Sequence, residues 1–243
     1  MTTEDEELPS PDDAGPFDVF SERDRLDARV TRSAGERVEV HGFDFADDLA
    51  RHYSFGEVAL TMLSGVPPSE EIGELFALCC VFAIPVSVAE APAHVARLSQ
   101  TIGTDAPGTV AAVTTAIAEQ IQFHIARLEP FLEWLEAPNE AVPEVALEDD
   151  DALDGLADAF STRLSEFDVE MPMPIRNYGF WAQLFAALHA CGLKTPRQII
   201  AALVMARLPG AIAEGLGETM GKLSDYPLNI PGLRYRHEEA RDG

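Results

Sequence analysis

Residues 54–68, Ser54-Phe55-Gly56-Glu57-Val58-Ala59-Leu60-Thr61-Met62-Leu63-Ser64-Gly65-Val66-Pro67-Pro68, contain the start, body and end of one helix. Ser54 offers an oxygen to the unpaired N–H groups of a first turn, and Glu57, three residues on, completes a capping box. Val58, Leu60, Met62 and Leu63 supply the apolar body, and Gly65 with Pro67-Pro68 ends it. The next stretch repeats the logic. Ser69 caps Glu70-Glu71, an apolar stripe of Ile72, Leu75, Phe76 and Cys79 runs at helical spacing, and Pro85 closes the segment.

Working toward the C-terminus, residues 92–102 and 107–136 read as helices, the second Ala-rich and nearly uncharged around Val110 to Ile121, as in a helix buried on most sides or lying at a subunit interface. Further helices are predicted over 154–167, 178–191 and 195–223, with Pro196 tolerated in a first turn. No Lys or Arg occurs between Arg127 and Arg163, whereas 11 acids do. Pro138, Pro143 and the run Glu148-Asp149-Asp150-Asp151 make 137–152 an expected solvated linker; consecutive acids in a linker stay hydrated more often than they hold a metal.

Toward the N-terminus, Ala28 to Ser33 and Arg37 to Val40 flank Gly35 with β-branched residues and predict a short hairpin. Before it, Pro9, Pro11 and Pro16 among acids predict a disordered tail. The expected organisation is an acidic tail over 1–27, one helical domain split into 28–136 and 153–235 by the linker 137–152, and a terminal tail over 236–243.

Composition narrows the function classes. Net charge is −25 at pH 7, from 42 acidic and 17 basic side chains, a field that repels nucleic acid, anionic lipid and polyphosphates. No nucleic-acid or membrane partner is expected: apolar stretches such as Leu75 to Val88 fall short of the roughly 20 residues of a membrane span. The first residues lack the basic and apolar regions of a signal peptide, so the expected location is cytoplasmic. The odd count of cysteines, Cys79, Cys80 and Cys191, predicts buried thiols, with neither a disulfide framework nor a metal cage.

Three blocks in this order resemble the citrate synthase family, particularly its short citryl-CoA lyase members. Val38-Glu39-Val40-His41-Gly42-Phe43-Asp44 is similar to that family's strand into an RGYD-type turn, and Ser54 to Pro67 is similar to its SFEEVAYLLLTGELP segment. Phe123-His124-Ile125-Ala126-Arg127-Leu128-Glu129 corresponds to HGGAxE. Asn177-Tyr178-Gly179-Phe180 resembles NVDFYSG, and Ala206-Arg207-Leu208-Pro209-Gly210-Ala211-Ile212-Ala213 resembles ARVPGWIAH. The resemblance spans roughly Val30 to Tyr235, with a large deletion in the middle. It implies an all-α, citrate synthase-like helical domain with a short N-terminal β-hairpin and a reduced or missing small domain.

The resemblance also implies carbon–carbon bond chemistry beside a CoA thioester. That chemistry needs a carboxylate to take the α proton, one histidine to hydrogen-bond the enolate oxygen, and another to polarise the keto acid. The base position falls on Gly179, which has no carboxylate; the second histidine's segment has no counterpart between Pro130 and Pro172; the final histidine of ARVPGWIAH is Glu214. His124 is the remaining catalytic candidate, either as a polarising group or as a helix histidine bonded locally. Arg176, Asn177 and Arg207 are the candidate substrate-binding residues, for a carboxylate; Arg207 reads equally as a brace between helices. His41 fits a turn better than a site, and Phe180, Trp181 and Phe185 fit a core better than a ligand cage.

The expected function is thus that of a catalytically impaired relative, a homodimer or a heterodimer with a paralogue, serving as a regulatory or partner subunit. The alternatives are an active lyase or synthase on a CoA thioester, pairing His124 with Glu129 or Glu214, and a module binding a small carboxylic acid. No cofactor is called for; a CoA thioester enters only as substrate.

Overall fold

The computed structural model describes residues 30–34, 37–87, 89–138, 141–147, 153–167 and 177–215. The tail 1–27, the acid run 148–151, Arg176 and everything from 216 onward lie outside them. The chain divides into two compact units, residues 1–54 and 55–243.

In the first unit the expected hairpin is a three-stranded antiparallel meander. Strands β1 (Thr31–Ala34) and β2 (Arg37–Val40) pair in the register Thr31↔Val40, and β2 pairs with β3 (Phe43–Asp44) through Val40↔Phe43. The third strand exists because His41 (φ 49°) and Gly42 (φ 86°) both take left-handed backbone, the two-residue turn that matches strand twist. His41 is therefore a turn residue. Asp44 then accepts the N–H groups of Ala46 and Asp47 at 2.9 and 2.8 Å, starting a wide helical turn over Phe45–Leu49 that tightens into α1 (Ala50–His52).

The second unit is helical: α2 (Phe55–Ser64), α3 (Glu70–Ala83), α4 (Ala91–Thr101), α5 (Ala106–Arg127), α6 (Glu129–Glu136), α7 (Asp154–Leu164), α8 (Phe180–Ala190) and α9 (Pro196–Gly215). Gly65, at φ 83°, ends α2 where the sequence places the stop. Ser69 accepts from the Ile72 N–H to start α3. Thr195 and Gln198 form a capping box on α9: the Gln198 carboxamide oxygen accepts the Thr195 N–H at 3.0 Å, and its Nε2 donates to the Leu63 carbonyl at the end of α2. The expected helix over 107–136 is two helices. Pro130 in the first turn of α6 has no N–H to continue the ladder, so the axis breaks at Leu128.

α8 is the centre of this unit, with Phe180 to Leu188 buried without a gap. It has no polar face, as expected of a helix covered on all sides. Ile117, Ile121 and Ile125 of α5, Phe131 of α6, Phe160 of α7 and Ile199, Ala202 and Leu203 of α9 complete the core, while α4, α5 and α9 pack against one another. Within the stretch expected to be a solvated linker, Glu144–Leu147 forms a single tight turn whose Ala146 is buried and whose carbonyl accepts the Gly179 N–H at 3.0 Å. α9 corrects the expectation that no segment could span a bilayer: it is long and apolar enough. That is a matter of length and composition alone; α9 buries one face, with Ile199, Ala202, Leu203, Ala206 and Ala211, against its neighbouring helices.

Candidate functional site

The end of α5, the start of α8, the middle of α9 and the loop into α4 bring together His124, Trp181, Arg207, Glu90 and Gln120. Arg207 is 3% exposed, and its placement starts with Gly210 one turn further along α9. A Cβ on Gly210 would overlap the Ile84 carbonyl oxygen, so only glycine lets α9 lie this close to the loop leaving α3. At that distance Arg207 Nη1 donates to the carbonyls of Ala83 and Pro85, at 3.1 and 3.3 Å. These are orphan carbonyls at a helix end, and the guanidinium satisfies them.

The other end of the guanidinium meets a carboxylate. Nη2 donates to Glu90 Oε2 at 2.5 Å and to Gln120 Oε1 at 3.4 Å, and Gln120 Nε2 donates to the same Glu90 oxygen at 2.6 Å. Glu90 Oε1 accepts the Ser87 N–H at 2.6 Å. The Arg207 guanidinium also lies 5.5 Å from the Trp181 ring centroid, within cation–π range. Burial lowers the Arg207 pKa and the Glu90 charge opposes that shift.

His124, in the last turn of α5, stacks on the same indole with centroids 4.0 Å apart and planes 17° from parallel. The structure therefore brings two sequence candidates, His124 and Arg207, onto one tryptophan. Asn177 is exposed ahead of α8, and Arg176 lies outside the described residues. Gly179, at the position the resemblance gives to the base, is the buried N-cap residue of α8. Glu129 and Glu214, the substitute acids considered for His124, are both exposed.

Glu90 and Gln120 are the members the sequence did not single out. Pro92 marks Glu90 as a residue preceding a helix, but nothing local says that its carboxylate reaches Arg207, 117 positions away. The thiols behave as expected: Cys79 and Cys191 are buried, Cys80 is half-buried, and all three are free. Burial pushes Cys79 well up, helped by a hydrogen bond with Cys191, and pushes Cys80 up to about 12, helped by the charge of Cys191. Among the described residues no group of His, Cys, Asp and Glu is arranged to hold a metal.

No family model matches the chain, and no curated protein matches it in sequence. Its fold is similar to that of citryl-CoA lyase from Hydrogenobacter thermophilus, with a TM-score of 0.56 and 17% identity over 88% of this chain and 97% of that one. The all-α, citrate synthase-like architecture is thus shared with that enzyme. The large central deletion expected from the sequence has no counterpart in this comparison, which runs along nearly the whole lyase.

Proposed function

We propose that this chain is a divergent relative of the citrate synthase and citryl-CoA lyase group that has lost the carbon–carbon chemistry and serves as a dimeric partner subunit in the cytoplasm. The observation carrying this reading is the wiring of Arg207. A guanidinium that binds substrate keeps a donor edge open; this one spends Nη1 on two carbonyls and Nη2 on Glu90 and Gln120, and its Nε is buried out of reach of solvent without a partner. The carboxylate in the cluster, Glu90, already accepts three hydrogen bonds, which suits a brace and not a proton acceptor. Gly179 supplies no substitute.

Self-association is supported by α5. Its exposed residues include Val110, Ala111, Ala112, Phe123 and Ala126, with Glu119 their one charged member, and Phe123 is 64% exposed. On a chain of net charge −25, a nearly uncharged face is where a like-charged copy or an acidic paralogue approaches with least repulsion.

The test is titration calorimetry with acetyl-CoA, citryl-CoA and citrate at low and high salt, so that charge repulsion is not mistaken for a missing site. Absence of binding at both salts, together with co-purification of a second chain, is the expected result. Tight binding of either CoA ester would overturn it in favour of the active-enzyme reading, which has one point of support: His124, Arg207 and a carboxylate gather around Trp181.

A further inference from the structure

A groove of about 240 Å³ opens where the end of α4, the first turns of α5 and the end of α9 meet. Ala96, Ala106, Val110 and Ile212 give it apolar walls; Gln100 and Thr109 are polar but uncharged, and among the described residues no charged side chain lines it. Ile102, at the C-cap of α4, adds a side chain that is 58% exposed. Water in such a groove faces carbon on most sides, so apolar side chains that displace it are favoured.

The last described residue, Gly215, lies in the wall of this groove, and the sequence continues through residues 216–243. Within them Tyr226-Pro227-Leu228-Asn229-Ile230-Pro231-Gly232-Leu233-Arg234-Tyr235-Arg236 joins aliphatic and aromatic side chains to two arginines and has no acid. It is a cationic stretch on a chain of net charge −25. Exposed acids stand beside the groove, Asp105 at the N-cap of α5 and Glu214 next to Gly215. A segment of this composition is drawn to an acidic surface by charge and held in an uncharged apolar groove by burial.

We propose that residues 226–236 of the same chain occupy this groove, with Leu228 and Ile230 entering the cavity and Arg234 and Arg236 meeting the acids beside it. The stretch from Gly215 to Leu228 can span up to about 45 Å, so the tether does not limit the approach. A tether this short also sets an effective concentration in the millimolar range, at which a modest contact suffices. The same segment of a second copy must reach the groove against the repulsion between two chains of charge −25 each, which favours the chain's own. Of the exposed α5 residues the segment covers Val110 and leaves Phe123 and Ala126 for association.

The experiment places the photoreactive residue p-benzoylphenylalanine at Leu228 of the full chain and irradiates a mixture of isotope-labelled and unlabelled protein. The expected products join residue 228 to peptides from 96–110 or 212–215, with both halves carrying the same label. Halves of mixed label would put a second copy's segment in the groove and overturn the assignment to the same chain. Crosslinks spread over other surfaces would overturn the docking itself. Thr109→Trp fills the groove from α5 and should cut the groove crosslinks about tenfold, the effect of losing the burial of one aliphatic side chain. An undiminished yield would count against the proposal equally. Should Thr109→Trp not fold, Ile230→Asp, which alters the segment and leaves the groove intact, should give a similar loss and is read in the same way. A small apolar molecule retained by the purified chain in native mass spectrometry, and lost in Thr109→Trp, would assign the groove to that ligand instead.

Discussion

Gly210 lies so close to the carbonyl oxygen of Ile84 that a side-chain carbon on it would overlap that atom. The obstacle is backbone, which cannot swing aside like the end of a flexible side chain. Gly210→Ala should therefore push α9 away from the loop after α3 and stretch the bonds from Arg207 to Ala83 and Pro85. Overpacking of this kind costs about 1–3 kcal/mol, and the helix propensity gained by alanine, about 1 kcal/mol, offsets only part of the upper range. Urea unfolding should show a lower midpoint at unchanged slope. An unchanged or raised midpoint would mean that the approach is not tight in solution.

Arg207 and Glu90 should be energetically coupled. Removing one member of a largely buried pair leaves an uncompensated charge, at about 3–5 kcal/mol, so Arg207→Met and Glu90→Gln should each be costly. The double variant should cost clearly less than the sum, because each substitution removes the charge that the other strands. Additive costs in a double-mutant cycle would reduce the pair to a surface contact.

The thiols give a pH prediction. Cys80 has its pKa raised to about 12 in the folded chain, against 9.0 ordinarily, and Cys79 is raised too. A raised folded-state value means the stabilising contribution is fully present below pH 9.0 and is lost as pH rises toward 12. Stability should therefore fall on the alkaline side over that window, and less so in Cys79→Ala/Cys80→Ala, compared as slopes because the truncation itself lowers stability. At about pH 8 the Cys80 thiolate is roughly one part in ten thousand, so a thiol reagent should react very slowly with the native chain and rapidly with all three cysteines in denaturant. Fast native labelling at Cys80 would contradict its burial.

What the sequence discloses here is largely what is local. Ser69, Gly65, Pro85 and Pro196 act within a few residues of their own position, and the helices they bound stand where those signals put them. The third strand was missed because His41 takes the left-handed conformation, which histidine adopts far less often than the glycine that follows it. The break at Leu128 was missed because a proline in a helix's first turn and a proline that interrupts a longer helix look the same in one dimension. His124 and Arg207 were legible as candidates through the resemblance. Their partners were not, since Glu90, Gln120 and Trp181 are joined to them only by tertiary packing across 26 to 117 positions.

Phe123 offers the sharpest test of the partner-subunit reading. It is 64% exposed on α5, two residues from each of the buried Ile121 and Ile125 and so on the opposite side of the helix, and replacing it removes little from the core. Phe123→Glu should leave thermal stability of the isolated chain within about 0.5 kcal/mol, as surface changes do, whereas Phe185→Ala in the centre of α8 should cost about 3–5 kcal/mol. If α5 is the association face, a glutamate there puts like charges opposite each other across the interface of two anionic chains, and adds desolvation to the repulsion. Sedimentation velocity should then show a dimer for the unaltered chain and a folded monomer for Phe123→Glu. A dimer that survives the substitution moves the interface off α5, and a monomer in both cases removes self-association from the proposed role and leaves a paralogue as the remaining partner.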